Sequence, residues 1–323
     1  MRLLVTGAAG FIGSHFVRER VREHPEDTVV ALDALTYAGT EANLADVRDR
    51  ITFVHADIAD AEGVLRDHDV DVVVNFAAES HNSLAVLDPG RFFSTNVLGT
   101  QALLEAARQV GVARFHHIST CEVDGDLALD AERAFTEESP YRPRTPYNAS
   151  KAGADHAVRA YHETFGLPVT ITNCANNYGS HQFPEKVLPL FVTNLMDGGK
   201  VPLYGDGLNV RDWLHVDDHC RGIQLVAEAG RPGEVYNIGG GTELTNRELT
   251  ELLLAAMDAD WSSVEMVTDR KGHDRRYSVD ITKISTELGY APQVDFAEGL
   301  ASTVAWYREN RAWWEKLKAR ANG

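Results

Sequence analysis

Tyr147-Asn-Ala-Ser-Lys151 sets a phenol and an ammonium four residues apart, on one face of a helix. A cation beside a phenol stabilises the phenolate, so such a pair suits removal of a hydroxyl proton while hydride leaves the same carbon. By itself the spacing is ordinary on a solvated helix. Two other groups give it company. Ser119-Thr120 ends an apolar run, and Gly7-Ala-Ala-Gly10-Phe11-Ile12-Gly13 directly follows the run Leu3–Thr6. Small residues in such a turn let the backbone approach a pyrophosphate at a helix N-terminus, where unpaired amides and the dipole favour negative charge. Asp33 ends the next apolar run, 20 residues beyond Gly13. From there a carboxylate holds a ribose 2′-hydroxyl and repels a 2′-phosphate. The combination predicts a dinucleotide, NAD in preference to NADP, with Asp57-Ile58 as a further contact at the adenine.

These groups need a scaffold of parallel strands. Short apolar runs at Leu3–Thr6, Thr28–Leu32, Ile51–His55, Asp71–Phe76, Phe115–Ser119 and Val169–Asn173 alternate with helical segments such as Phe11–Arg22, Arg91–Gln109 and Tyr147–Phe165. Continuous aliphatic runs are what strands covered on both faces look like. The pattern predicts an α/β chain: a Rossmann-type doubly wound parallel sheet with a smaller mixed α/β substrate domain. Residues 1–173, completed by parts of 210–240, form the cofactor domain in this reading, and 174–323 the substrate domain. The tail Phe296–Lys318 reads as one closing amphipathic helix, with Leu300, Val304, Tyr307 and Trp314 on its apolar face.

The 323 residues carry 31 Lys and Arg against 48 Asp and Glu, a formal net charge of −17. That balance argues against a broad nucleic-acid surface, so any bound phosphate must meet a local cluster of cations. Cys121, Cys174 and Cys220 are too few and too scattered for a disulfide framework or zinc knuckle, which fits a reducing cytoplasm. No signal-peptide pattern opens the chain, and no apolar run approaches the ~20 residues of a membrane span. No metal site is expected. His215-Val-Asp-Asp-His219 offers Asp217 or Asp218 as a helix N-cap and lacks a third ligand. His116 and His117 are adjacent on a strand and point to opposite faces.

Taken with the glycine turn, Asp33 and Ser119-Thr120, the Tyr147/Lys151 pair resembles the signature of an extended short-chain dehydrogenase/reductase. Nearly the whole chain resembles the dTDP-glucose 4,6-dehydratase family, through Leu35-Thr-Tyr-Ala-Gly39, Ala77-Ala-Glu-Ser-His81, Asn176-Asn-Tyr-Gly179, Phe183-Pro-Glu-Lys186, Tyr204-Gly-Asp-Gly207, Arg211-Asp-Trp-Leu214, Tyr236-Asn-Ile-Gly-Gly240 and Lys271-Gly-His-Asp-Arg-Arg276. The resemblance implies oxidation of sugar carbon 4 by NAD, loss of the carbon 5 proton and carbon 6 hydroxyl, and return of hydride to carbon 6. It makes Tyr147 the oxidation base, Lys151 its pKa tuner and a nicotinamide-ribose ligand, Thr120 and Ser80 partners of the reacting hydroxyl, and Glu122 the base at carbon 5. It also implies a homodimer through the segments Arg91–Gln109 and Tyr147–Phe165. Lys186, Arg211, His273 and Arg275 suit a diphosphate, three of them as charged donors, and Asn177, Glu185 and Asn246 suit the sugar or base. Asp269-Arg-Lys-Gly-His-Asp-Arg-Arg276 is a basic loop in an acidic chain, which a nucleotide's phosphates would explain.

The chain departs from the family beside the reacting carbons. Where the family reads Thr-Asp-Glu-Val-Tyr-Gly, with the aspartic acid protonating the departing hydroxyl, this chain reads Thr120-Cys-Glu-Val-Asp-Gly125. Asn82-Ser-Leu-Ala85 likewise replaces Val-Asp-Arg-Ser, an altered loop that leaves a different sugar or a nucleoside open as substrate. Cys121 at the acid position resembles the tunicamycin-type 5,6-dehydratases, which return hydride to carbon 4 and leave an alkene. A thiol with a pKa of about 8.5 is mostly protonated at neutral pH and is a candidate acid, and Asp124 is a second one. The expected function is a nucleotide-hexose dehydratase giving a 4-keto-6-deoxy sugar. The alternatives are a 5,6-alkene product, a 4-epimerase, and a retired NAD-binding paralogue that pairs with an active enzyme.

Overall fold

The computed structural model describes residues 1–321. Its centre is a parallel sheet of seven strands: β1 (Arg2–Thr6), β2 (Thr28–Asp33), β3 (Thr52–His55), β4 (Val72–Asn75), β5 (Arg114–Thr120), β6 (Val169–Cys174) and a last edge strand, Val235–Ile238, from the second half of the chain. Alternation along each strand divides the core between the two faces. Leu3, Val5, Val29, Ala31, Val72 and Val74 pack with Phe16, Val17 and Val21 of the helix Phe11–Glu23. Leu4, Val30, Leu32 and Val73 pack on the other side with Leu103, Leu104 and Ala107 of the helix Thr100–Val110. The spatial order from one edge is Val235–Ile238, β6, β5, β4, β1, β2, β3. The order reverses between β1 and β4, and the crevice at their carboxyl ends is where such sheets take ligands.

The remaining strands are β7 (Asn176–Tyr178), β8 (Val201–Tyr204), β9 (Val210–His215), β10 (the edge strand Val235–Ile238), β11 (Thr242–Thr245), β12 (Val264–Val267) and β13 (Arg276–Tyr277). β9 pairs with β7, β11 and β13, and β8 pairs with β12. With the helices Val187–Met196, Asn246–Ala256 and Phe296–Glu309 they enclose a second core that includes Leu188, Phe191, Leu249, Val304 and Trp314.

Three local expectations are corrected. The stretch expected as one helix over Arg91–Gln109 widens into a π-helix at Phe93–Gly99. The wider turn holds Asn96 buried, where its side chain bonds the Glu79 backbone at 2.8 and 3.0 Å and the Ser150 hydroxyl at 2.8 Å. The tail is two helices, Phe296–Glu309 and Arg311–Ala321. At the break the Asn310 side chain donates to the Trp306 carbonyl, and the Trp314 indole turns back to the Tyr307 carbonyl at 2.8 Å. His215, not an aspartate, caps the helix Val216–Ala229, its Nδ1 accepting from the Asp217 amide at 3.3 Å. Asp218 instead accepts from the Gln293 and Val294 amides at 2.8 and 3.0 Å, tying the final segment to this helix. His116 and His117 do face opposite ways: one meets Thr170 and Thr172, the other Asn75 and Lys151.

Candidate active site

A cavity of about 850 Å³ runs from the glycine turn, along the ends of β1, β2, β4 and β5, to the loop Arg270–Asp274. Gly7, Gly10, Phe11, Ile12, Gly13, Asp33, Asp57 and Ile58 line one end. Gly7 has a left-handed φ of 61°, and a Cβ on Gly13 would stand 2.3 Å from the Gly7 carbonyl oxygen. Only glycine fits at both places. Gly10 begins the helix Phe11–Glu23 without a side-chain cap, so the first amides of that helix are left for a ligand. Asp33 accepts from the Ala9 amide at 2.8 Å and the Leu35 amide at 2.7 Å. Burial raises its pKa, and these two bonds oppose the shift. Asp57 accepts from the Ala59 amide at 2.9 Å, which places Ile58 against Gly99. A carboxylate at the end of β2 and an uncapped helix start over one cavity fit the ribose and pyrophosphate of NAD.

Thr120, Glu122, Tyr147 and Lys151 line the middle of the cavity. Thr120 ends β5 and accepts from the Glu122 amide at 3.3 Å, closing the single turn Cys121–Asp124. Glu122 Oε2 accepts from the Asn82 amide nitrogen at 3.3 Å. Tyr147 sits in the first turn of the helix Pro146–Phe165, which Thr145 caps by accepting from the Asn148 amide at 3.2 Å. Lys151 is 3% exposed; its ammonium donates to the Ile118 carbonyl at 2.7 Å and lies 3.3 Å from His117 Nε2. It makes no hydrogen bond to Tyr147. Burial, then the charge of Glu122, raises the phenol well above its ordinary value. Burial lowers the Lys151 pKa, against the opposing charge of Asp155.

Cys121 is 1% exposed and packs in the core that includes Leu127, Cys174 and Val279, off the cavity wall. Thr120, the last residue of β5, and Glu122, in the turn after it, line the cavity, while Cys121 and Val123 of that turn are buried behind it. Burial, then Glu122, holds the thiol pKa well above its ordinary value. Asp124 is also off the wall, its carboxyl pushed up to about 8 by burial and then Asp155. Neither acid candidate of the sequence is thus on the wall.

Ser80, Asn177, Glu185, Lys186, Arg211, Asn246 and His273 line the far end. Lys186 donates to the Ser80 carbonyl at 2.7 Å, and Glu185 accepts from the Tyr37 hydroxyl at 3.2 Å. Arg211, 5% exposed, lies 4.2 Å over the Tyr277 ring and donates to the Asp274 carbonyl at 2.8 Å. Asn177 already serves the protein on both sides, donating to the Ala175 carbonyl at 3.0 Å and meeting His219 Nδ1 at 2.9 Å. Arg275 is the exception: it is clasped by Asp206 at 2.9 and 3.0 Å outside the cavity. Its neighbours Arg270 and Lys271 line the wall instead, and their presence in the basic loop was the signal for them. Asn82 and Asp274 also line it; no periodicity marks either residue in the sequence.

A family model described as GDP-mannose 4,6 dehydratase matches residues 4–303. The dTDP-glucose 4,6-dehydratase of Streptomyces antibioticus is 56% identical over 331 residues, covering 100% of this chain and 97% of that relative. The chain belongs to the dTDP-glucose 4,6-dehydratase family. A relative of the same description from Streptomyces griseus is 58% identical, across 98% of this chain and 96% of its own. Among solved structures, the family member DesIV from Streptomyces venezuelae, described with NAD and TYD bound, superposes with a TM-score of 0.95 at 60% identity, across 98% of this chain and 100% of its own. The UDP-glucose 4-epimerase of Thermotoga maritima superposes less closely, with a TM-score of 0.89 at 32% identity.

Proposed function

We propose that the protein is an NAD-dependent dehydratase that converts dTDP-glucose into its 4-keto-6-deoxy derivative. The observation that carries the reading is Glu122 on the same cavity wall as Tyr147. A 4-epimerase has no use for a base at carbon 5, and a retired paralogue has no reason to keep Tyr147, Lys151 and Glu122 together. When bound, NAD supplies the acceptor for hydride from carbon 4 and the donor of hydride to carbon 6.

Tyr147 takes the carbon 4 hydroxyl proton, with the Thr120 hydroxyl beside the reacting oxygen. The resulting ketone acidifies carbon 5, because the electron pair left there spreads onto oxygen; Glu122 removes that proton and later returns it. Lys186, Arg211, Arg270 and Lys271 form the cationic part of the wall, suited to the diphosphate. Residues 1–173 with parts of 210–240 hold the cofactor, and 174–323 supply most nucleotide contacts.

A homodimer is part of the proposal. Phe93 and Leu98 on one helical stretch and Phe165 on another are exposed apolar side chains, and such faces mark association surfaces. No helix among the described residues is long and apolar enough to cross a membrane, and three free buried thiols suit the cytoplasm. Incubation with dTDP-glucose tests the function by mass spectrometry and proton NMR. The expected product is lighter by one water and carries a new methyl doublet; unchanged mass with inverted carbon 4, or alkene protons without a methyl, contradicts the reading.

A further inference from the structure

Loss of the carbon 6 hydroxyl as water requires a proton donor on the cavity wall, and Cys121 and Asp124 both lie behind that wall. We infer that Asp274 supplies this proton. The assignment rests on the dehydratase reading above. Asp274 is 4% exposed and lines the cavity. Its backbone carbonyl accepts from Asn209 at 3.0 Å and Arg211 at 2.8 Å, which fixes the residue in place. Its Oδ2 accepts from the Asn148 side chain at 3.3 Å. Its Oδ1 is buried without a hydrogen-bond partner, 3.4 Å from a guanidinium nitrogen of Arg144 that also pairs with Asp126.

A line of polar side chains joins Asp274 to the carbon 5 base. Asn148, next to Tyr147 in sequence, accepts from the Thr145 hydroxyl at 2.8 Å; that hydroxyl lies 3.4 Å from Asn82 Oδ1, and Asn82 donates to Glu122 at 3.3 Å. Glu122 and Asp274 are thus the two ends of one polar array, and both residues line the cavity. A buried carboxyl and a half-buried one so coupled do not both carry charge at no cost. Burial, then the charge of Glu122, pushes Asp274 up to about 7 against the opposing charges of Arg211 and Arg144. Of the two carboxyls, Asp274 is the one whose surroundings favour the protonated form that an acid needs.

In the elimination, Glu122 takes the carbon 5 proton and the carbon 4 ketone holds the electron pair as enolate. The pair then forms the carbon 5–carbon 6 double bond as the bond from carbon 6 to oxygen breaks. The Asp274 carboxyl proton goes to the leaving oxygen, water departs, and Asp274 is left as carboxylate. After hydride reaches carbon 6 and Glu122 returns its proton to carbon 5, Tyr147 holds one proton more and Asp274 one fewer; exchange with solvent resets both.

Asp274→Asn keeps the shape and removes the proton. Four quantities are read with dTDP-glucose in D2O: appearance of reduced cofactor, deuterium uptake at carbon 5, water loss, and elimination from the 6-fluoro analogue, whose leaving group departs with less need of a proton. The variant is expected to keep oxidation and exchange, to lose dehydration by about 10²–10⁴-fold, and to regain elimination with the fluoro analogue. Dehydration within about tenfold of the parent protein overturns the assignment. So does loss of oxidation and exchange together, which marks a structural role, and so does selective loss of dehydration in Cys121→Ala. Absence of dehydration by the unaltered protein overturns the function reading and this assignment with it.

Discussion

At the scale of the residue, neighbours in sequence have opposite fates. Thr120 and Glu122 reach the cavity while Cys121, between them, is core. Removing the Tyr147 hydroxyl tests the oxidation step in isolation: Tyr147→Phe is expected to slow turnover by about 10²–10⁴-fold and to abolish deuterium uptake at carbon 5, because no ketone forms. Undiminished uptake would contradict the role of Tyr147. Asp33, a buried carboxylate that accepts two amides, is the residue proposed to set cofactor choice. Asp33→Asn removes its charge, and the NAD dissociation constant is expected to rise about tenfold, as for loss of one charge-assisted bond, while the gap to NADP narrows. Calorimetric titration with both cofactors measures this; an unchanged preference contradicts it. Tyr147 and Lys151 were legible in the sequence because the helix period puts residues four apart on one face, and Thr120 because it ends an apolar run; Glu122 was legible only through the resemblance to the family's Thr-Asp-Glu run. Arg275 was not, because the loop that carries it has no period to say which of its cations turn inward.

At the scale of the element, the glycine turn and the tail show what local sequence specifies. A Cβ on Gly13 collides with the Gly7 carbonyl, so Gly13→Ala is expected to purify with far less bound NAD; release by denaturation and quantification of the cofactor checks it, and full occupancy contradicts it. All seven strands of the large sheet occupy hydrophobic runs, and the first six were readable as such. The widened helix at Phe93–Gly99 was not, because its cause is tertiary: buried Asn96 must reach Glu79 and Ser150. The broken tail is similar. Its apolar spacing continues through Trp314, and only contacts at Asn310 and Tyr307 turn the chain back.

At the scale of the whole molecule, several buried ionisable groups link folding to pH. Burial, then the charge of a neighbouring carboxylate, pushes Glu19 and Asp124 up to about 8 and Asp274 up to about 7. The unfolded chain releases those protons near pH 4, so the folded state binds more protons between about pH 4 and 8 and stability falls as pH rises through that window. His116, His181 and His219, lowered by burial to about 3, act oppositely: the unfolded chain protonates them below about pH 6.5, so they favour folding increasingly as pH rises to that point. Above it the histidine contribution is complete while that of the carboxyls goes on falling, and the urea midpoint is expected to be lower at about pH 8.5 than at about pH 6.5; a higher midpoint contradicts this. The acidity that argued against a nucleic-acid surface surrounds a cavity whose far wall is cationic. In the proposed reaction one cavity oxidises carbon 4, releases the carbon 6 hydroxyl and joins the two steps through a cofactor that stays bound. The most direct test follows deuterium from dTDP-glucose labelled at carbon 4. The label is expected in the new methyl group of the product; label remaining at carbon 4, or lost to solvent, contradicts the account.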